Sequence, residues 1–279
     1  MLAGLSCQAG RESRMPTLFV HCPLLAIAGL LAIGAAQADV TLRQTSDAQA
    51  LGMKGSFPTV TYIKGGKMRV ETEMRGKTRV TIFDIDNQKM YAFESGKNEV
   101  DAWDMGAVAA ELAQAVDVAG IATTLKPNGQ TREISGQSAA GFDLRSAVPA
   151  TFGGPGGPRI TVTNQGTVWI VKDAPGTADY VNFYKAAAAK GWIFGDPRAA
   201  KGQPGQAKAT AEMYRQLAEA GGLPYEVDMS ISAEAEGPMA MLAKAMNSQI
   251  RSTTQSAEVS PLADDLFAPP AGAKLKERK

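Results

Sequence analysis

Between Phe57 and Trp103 the chain reads FPTVTYIKGGKMRVETEMRGKTRVTIFDIDNQKMYAFESGKNEVDAW, and no other stretch restricts the fold as tightly. Short runs of β-branched and aromatic residues are separated by Gly65-Gly66, Arg75-Gly76, Asp86-Asn87 and Ser95-Gly96. Gly and Asn tolerate the positive φ that tight hairpins need. From Lys67 to Arg75, the side chains of Met68, Val70, Thr72 and Met74 alternate with charged ones, which in a strand gives one sheltered face and one wet face. The pattern predicts an antiparallel meander of about five strands, each too short to be stable alone. The rest of the chain must therefore extend this sheet or cover it.

The first 38 residues read differently. Arg11 and Arg14 precede an uncharged stretch centred on Leu24 to Ala36, and Ala36-Gln37-Ala38 is a small-x-small cleavage pattern. That order is the secretory signal pattern. The apolar segment is shorter than the roughly 20 residues a membrane span needs. The expected product is a periplasmic chain cleaved after Ala38, with no transmembrane segment and no lipid anchor; either Met1 or Met15 could start it. Cys7, His21 and Cys22 all fall inside this segment, so the chain from Asp39 on has neither cysteine nor histidine. That excludes disulfides, Cys or His metal sites, a histidine base and a thiol nucleophile. No cofactor and no metal are expected. Two of the 29 Lys+Arg and one of the 28 Asp+Glu lie in the first 38 residues, leaving 27 of each. A neutral exported chain has no electrostatic footprint for nucleic acid.

Beyond these, Val40 to Arg43 reads as a strand and 44–56 as a polar loop. Asp104 is placed to cap a helix over 106–118. Alternation and turn residues predict strands near 121–126, 130–135, 139–148, 159–164 and 167–172, with turns at Lys126-Pro127-Asn128-Gly129, Ser135-Gly136 and Asn164-Gln165-Gly166. Helices follow over 178–190, capped by Thr177, and over 207–220. The linking segment from Gly191 to Gln206 is too rich in Gly and Pro for regular structure, yet its Trp192, Ile193 and Phe194 should tuck back onto the sheet. A strand from Leu223 to Ala233, a short helix from Gly237-Pro238, and a strand over 249–259 complete the chain before a frayed charged tail. Thr151 to Pro158 is read as a flexible interruption.

Local motifs with chemical overtones resolve into turns. Gly76-Lys77-Thr78 lacks the preceding glycine and the following helix of a phosphate loop, since Glu71 stands where that glycine belongs. Asp84-x-Asp86-Asn87 lacks the later ligands of a calcium loop. Ser138 has no base to activate it. Asp101 and Asp104 read as surface charge plus helix cap rather than as a catalytic pair, so no catalytic residue is assigned and the chain is not expected to be an enzyme. The methionines are the suggestive feature: ten of the 12 lie beyond residue 38, and methionine adapts to variable apolar partners. Ordinary core filling is the plainer reading.

The segments KGGKMR, FDIDNQKMY, WIVKD, GLPYEVDMSI and LFAPPAGAK resemble a family of secreted bacterial proteins known as a domain of unknown function. Its architecture is similar to that of the lipoprotein carrier and receptor proteins LolA and LolB. The resemblance covers most of Asp39 to Lys274; Ala273 and the Gly/Pro insertions at 153–158 and 195–206 depart from it. It implies an α+β fold, a strongly curved antiparallel sheet forming an unclosed barrel with helices on its concave face. The expected organisation is a signal peptide at 1–38, one domain over 39–274 and a charged tail at 275–279. The expected function is a periplasmic, non-enzymatic carrier for a lipid or acyl chain. Its apolar cavity would be lined by Met68, Val70, Val80 and Ile82, with Met239, Met241 and Met246 on a rim helix. The alternative is an envelope structural or protein-interaction module with a filled core and no ligand.

Overall fold

The computed structural model describes residues 39–50, 53–115, 121–151, 157–245 and 247–278. The expected signal segment, the end of the 106–118 helix, most of the Gly/Pro run after Thr151, and Met246 lie outside the described residues. The elements run β1 (Val40–Ala50), β2 (Met53–Lys64), β3 (Lys67–Met74), β4 (Lys77–Asp84), β5 (Lys89–Glu94), β6 (Glu99–Asp104), α1 (Met105–Ala115), β7 (Ala122–Ile134), β8 (Gln137–Thr151) and β9 (Arg159–Val171). Then come α2 (Thr177–Ala189), α3 (Pro197–Gly202), α4 (Pro204–Ala220), β10 (Leu223–Ala235), α5 (Ala240–Ala245), β11 (Ser248–Val259) and β12 (Lys274–Arg278).

All twelve strands join one open sheet in the order β12-β6-β5-β4-β3-β2-β1-β11-β10-β9-β8-β7. The meander is present as five consecutive neighbours, β2 to β6. Arg75 and Gly76 carry the positive φ values of 52° and 73° expected at its tight turn. Asp84 caps its own turn, accepting from the Asn87 N–H at 3.0 Å and from its side-chain amide at 2.9 Å. The sheet is mixed rather than purely antiparallel, because β12 pairs parallel to β6. The tail expected to fray is thus a strand. Its charges find partners on the neighbouring strand: Lys276 with Glu99 at 2.6 Å and Arg278 with Asp101 at 2.7 Å. A short, charged last strand also blunts that sheet edge against further pairing.

Two other departures concern where strands begin and end. β1 continues through the expected loop to Ala50, because Gln44 donates to Thr254 at 2.9 Å and Ser46 shares a hydrogen bond with Ser252 at 2.6 Å. Five expected strands after residue 121 merge into three. Lys126-Pro127-Asn128-Gly129 is an irregularity within edge strand β7, where proline is tolerated. Asn164-Gln165-Gly166 runs straight through β9.

Registered pairing sets one row across six strands: Val40, Ile63, Met68, Phe83, Met90 and Trp103. Every member is buried, and the row packs with Phe183, Tyr184, Ala187 and Trp192 in the main core. Phe142, Leu144 and Val168 continue that face under Leu217 and Met213 of α4. The opposite face has its own small cluster of Val80, Ile82, Phe93 and Val100, with Ala273 from the chain end packed against it. There Arg69 donates to the Leu266 carbonyl at 3.0 Å, holding the C-terminal segment down.

The helix starts obey local rules, though not always the expected ones. Gly176, not Thr177, caps α2. It sits at φ 77°, and a Cβ there would lie 2.1 Å from Val40 Cγ2, so only glycine fits. Thr177 instead donates its hydroxyl to Ala174 O at 2.8 Å. The Gly/Pro link expected to be irregular contains α3 and the start of α4. Each begins with proline in its first turn, where the missing N–H is no loss, and the Asp196 side chain accepts from Arg198 N–H to cap α3.

Asp104 caps α1 as expected, accepting from the Ala107 N–H at 3.0 Å. That bond, aided by Lys89 and partly opposed by desolvation, lowers its pKa from 3.8. Asp104→Ala should cost about 1 kcal/mol near neutral pH. A depressed carboxylate contributes fully above its unfolded pKa and loses the contribution as pH falls through the folded value. The stability gap between wild type and Asp104→Ala in denaturant titrations should therefore close below 3.8. A gap independent of pH would show that the cap is not the carboxylate.

Candidate functional site

A cavity of about 560 Å³ lies where α1, the turn after α2, α4 and the start of β7 meet. Small side chains create it. Ala109 and Ala113 on α1, Ala188 on α2 and Ala211 on α4 line walls that bulkier residues would fill. Leu112, Trp192 and Ile193 supply the apolar floor, all three buried.

Local geometry explains why the floor is there. α2 stops at Ala189, and the N–H groups of Lys190, Gly191 and Trp192 turn back onto the carbonyls of Ala187 and Ala188 at 3.0–3.1 Å. Gly191 takes φ 68°, which reverses the chain and drives the next residues inward. Trp192 and Phe194 then approach Phe83 of β4, with ring centroids 6.3 and 5.7 Å away. The expectation that these aromatics tuck back onto the sheet is met. The Nε1–H of Trp192 finds no acceptor among the described residues.

The surrounding elements are fixed by polar contacts. Lys201 of α3 bonds Glu111 of α1 at 2.6 Å. Gln216 of α4 donates to the Thr123 carbonyl of β7 at 2.8 Å. On the rim, Glu212 accepts from Arg215 at 2.5 and 2.7 Å and from Gln216 at 2.7 Å. The Arg215 hydrogen bonds hold the Glu212 carboxyl below its ordinary pKa, against desolvation. Arg215 is engaged further by Glu219. Lys208, half-buried one turn earlier, has no ion pair or hydrogen bond among the described residues. Arg198, by contrast, is held by Asp196 and Asp101.

The described residues of the methionine-based site are not brought together. Met68 and Val70 alternate onto the helix-bearing face, whereas Val80 and Ile82 point to the opposite face beneath the C-terminal segment. The reason is register: Met68 pairs with Phe83, so Ile82 and Val80 must face the other way. Met68 is inside a filled core, with the Tyr184 hydroxyl 3.8 Å from its sulfur. That hydroxyl is itself raised in pKa by burial. Met239 is half-buried in a 3₁₀ turn and Met241 is 85% exposed on α5. None of these six described residues lines the cavity. Sequence reasoning missed Ala109, Leu112, Ala113, Ala188, Lys208 and Ala211; the apolar Trp192-Ile193-Phe194 run in a Gly/Pro setting was the one available signal.

A second concavity of about 620 Å³ lies at the other flank of the sheet, lined by Lys77, Glu94, Glu99, Asp101, Lys276 and Arg278 among others. Most of its charges are paired: Lys77 with Glu94 at 3.1 Å, Lys276 with Glu99, Arg278 with Asp101, and Arg79 with Asp196 at 3.5 Å, while Asp101 is also met by Arg198 at 3.5 Å and Lys97 has no ion pair among the described residues. Asp101 is thus a structural anion, and Asp104 is the helix cap.

No protein-family model matches the chain, and no curated protein does. Solved structures resemble it distantly. PNGF-II aligns at 13% identity and a TM-score of 0.36, covering 86% of this chain and 31% of that one, so this chain spans less than a third of that protein. A LolA superfamily protein from Nitrosomonas europaea aligns at 7% identity and a TM-score of 0.29, covering 84% and 90%. A DUF1329 family protein from Desulfovibrio piger aligns at 8% and 0.30, with the same coverages. The distant structural neighbours thus include a LolA superfamily protein and a DUF1329 family protein, the kinds of protein named in the sequence resemblance. Likeness at these scores carries no weight for ligand, chemistry or partner.

Proposed function

We propose that this chain is a non-enzymatic binding protein for an apolar chain-like ligand such as a lipid or acyl chain, received between α1, α2, α4 and the start of β7. The observation that carries the reading is the cavity of about 560 Å³, with its apolar floor and small-residue walls. Ligand sites commonly fall at roughly 300–1,000 Å³ and combine apolar walls with a few polar groups. The site is built on helices rather than inside the sheet, because the sheet core is filled. A neutral fluorescent probe, N-phenyl-1-naphthylamine, should bind saturably. Ala113→Trp, which adds bulk at an exposed helix position lining the cavity, should abolish binding while changing stability by about 0.5 kcal/mol or less. Met241→Asp should leave both unchanged. Probe binding that survives Ala113→Trp would place the ligand elsewhere.

The envelope-module reading has one observation in its favour: the density of the core around Met68, where Tyr184 stacks on Tyr214 at 4.8 Å and touches Phe194 at 4.8 Å. Absence of any saturable probe binding would select it.

The periplasm is the proposed location, from the positively flanked apolar segment and the Ala36-Gln37-Ala38 pattern. Among the described residues no helix is long and apolar enough to cross a membrane. Intact-mass measurement of the exported protein should give a chain beginning at Asp39. A mass retaining the apolar segment, or carrying an added acyl group, would overturn soluble release.

A further inference from the structure

We infer that the cavity selects chains with an anionic head, and that Lys208 is the group that holds it; this rests on the binding role proposed above and adds the class of ligand. Three cavity-lining residues carry charge: Lys208, Glu212 and Arg215. Glu212 and Arg215 are occupied by each other through two hydrogen bonds, with Gln216 and Glu219 taking further positions on the pair. An incoming head group gains little from either. Lys208 is different. It is half-buried at the wall of an apolar space, one helical turn before Glu212, and among the described residues no carboxylate lies within ion-pair distance of it.

A lysine uses its aliphatic stem to cover apolar surface and keeps its ammonium at the polar boundary. At the mouth of an apolar cavity that arrangement suits one kind of ligand: an alkyl chain inward and a negative head at the rim. A carboxylate or phosphate monoester would make a charge-assisted hydrogen bond, about twice as strong as a neutral one. A neutral alcohol could accept a hydrogen bond from the ammonium but would lack the opposite charge that completes an ion pair, and a cationic head would meet repulsion from Lys208. Lysine acts here as a compact point charge rather than a planar fork, so it does not by itself discriminate carboxylate from phosphate.

The test is displacement of N-phenyl-1-naphthylamine from the purified protein by four single-chain amphiphiles of equal length: dodecanoate, dodecyl phosphate, 1-dodecanol and dodecyltrimethylammonium. Both anionic chains should displace the probe about tenfold more tightly than the alcohol, and the cation should be weakest. The preference should shrink as salt screens the rim charge. Lys208→Ala should bring the anions down to the alcohol's level when each displacement is read against that variant's own probe affinity, and Lys208→Arg should retain the preference. Preference for only one of the anions would assign the head group to fatty acids or to phosphate-bearing lipids. Equal displacement by anions and alcohol, or an anion preference that persists in Lys208→Ala, overturns the inference and leaves the binding role standing. Absence of probe binding overturns both.

Discussion

Gly166→Ala should destabilise this protein by about 3 kcal/mol, near the upper end of what adding one methyl group to a packed interior costs. Gly166 sits in β9 between Leu144 of β8 and Met229 of β10. A Cβ at this position would lie 1.9 Å from the Asp228 carbonyl oxygen and 2.7 Å from the Met229 Cα. Those are backbone atoms of a paired strand, so no rotamer change can make room. β9 and β10 would have to separate where the sheet passes from its meander half, through β11, to β7–β9. For a chain of this size each kcal/mol moves the melting temperature by roughly 2–4 °C, so a drop of about 10 °C is expected. Urea unfolding should show a lower midpoint with an unchanged slope. A loss under about 0.5 kcal/mol, the range of a neutral surface change, would mean the two strands do not approach this closely.

Gly166 also shows why part of the fold could not be read in advance. Asn164-Gln165-Gly166 has the composition of a turn, and only the crowding of β10 against it reveals a continuous strand. The same holds for β1 beyond Arg43. Its inner side chains are Gln44 and Ser46, and their partners Thr254 and Ser252 lie more than 200 positions away. Local alternation of apolar and polar residues cannot announce a strand whose sheltered face is held by hydroxyls and amides. The meander was legible because both of its signals are local: period-two alternation around Met68 and Val70, and turn pairs such as Arg75-Gly76. The cavity was not legible because it consists of missing bulk. Ala109, Ala113, Ala188 and Ala211 come from three helices, and nothing in the sequence says that they face one another. Methionine content pointed instead to α5, whose Met241 is bare to solvent, and to Met68, which is locked in the core.

Trp192→Ala should have the largest effect of any single change at the site, a loss of about 4 kcal/mol. The indole is 1% exposed and lies at once under the cavity and over the main core, against Phe83. Removing it forfeits the transfer free energy of a large aromatic and leaves a void that the sheet row of Met68, Phe83 and Met90 cannot collapse to fill, since those side chains are fixed by pairing on both sides. The void opens toward the existing cavity. N-phenyl-1-naphthylamine should therefore bind the folded fraction of Trp192→Ala at least as tightly as wild type, an uncommon pairing of lower stability with retained or improved ligand binding. Trp192→Phe separates packing from polarity. It keeps most of the aromatic volume and deletes an N–H that has no acceptor among the described residues. An unsatisfied buried donor costs about 1–3 kcal/mol, which offsets much of the lost area, so Trp192→Phe should stay within about 1.5 kcal/mol of wild type. Both variants are read by denaturant unfolding and by probe titration below the melting range. If Trp192→Ala costs less than about 1 kcal/mol, the indole is not the shared wall between core and cavity. If it stays folded but no longer binds the probe, the ring itself is the binding surface, and the ligand stacks on it rather than occupying the space above.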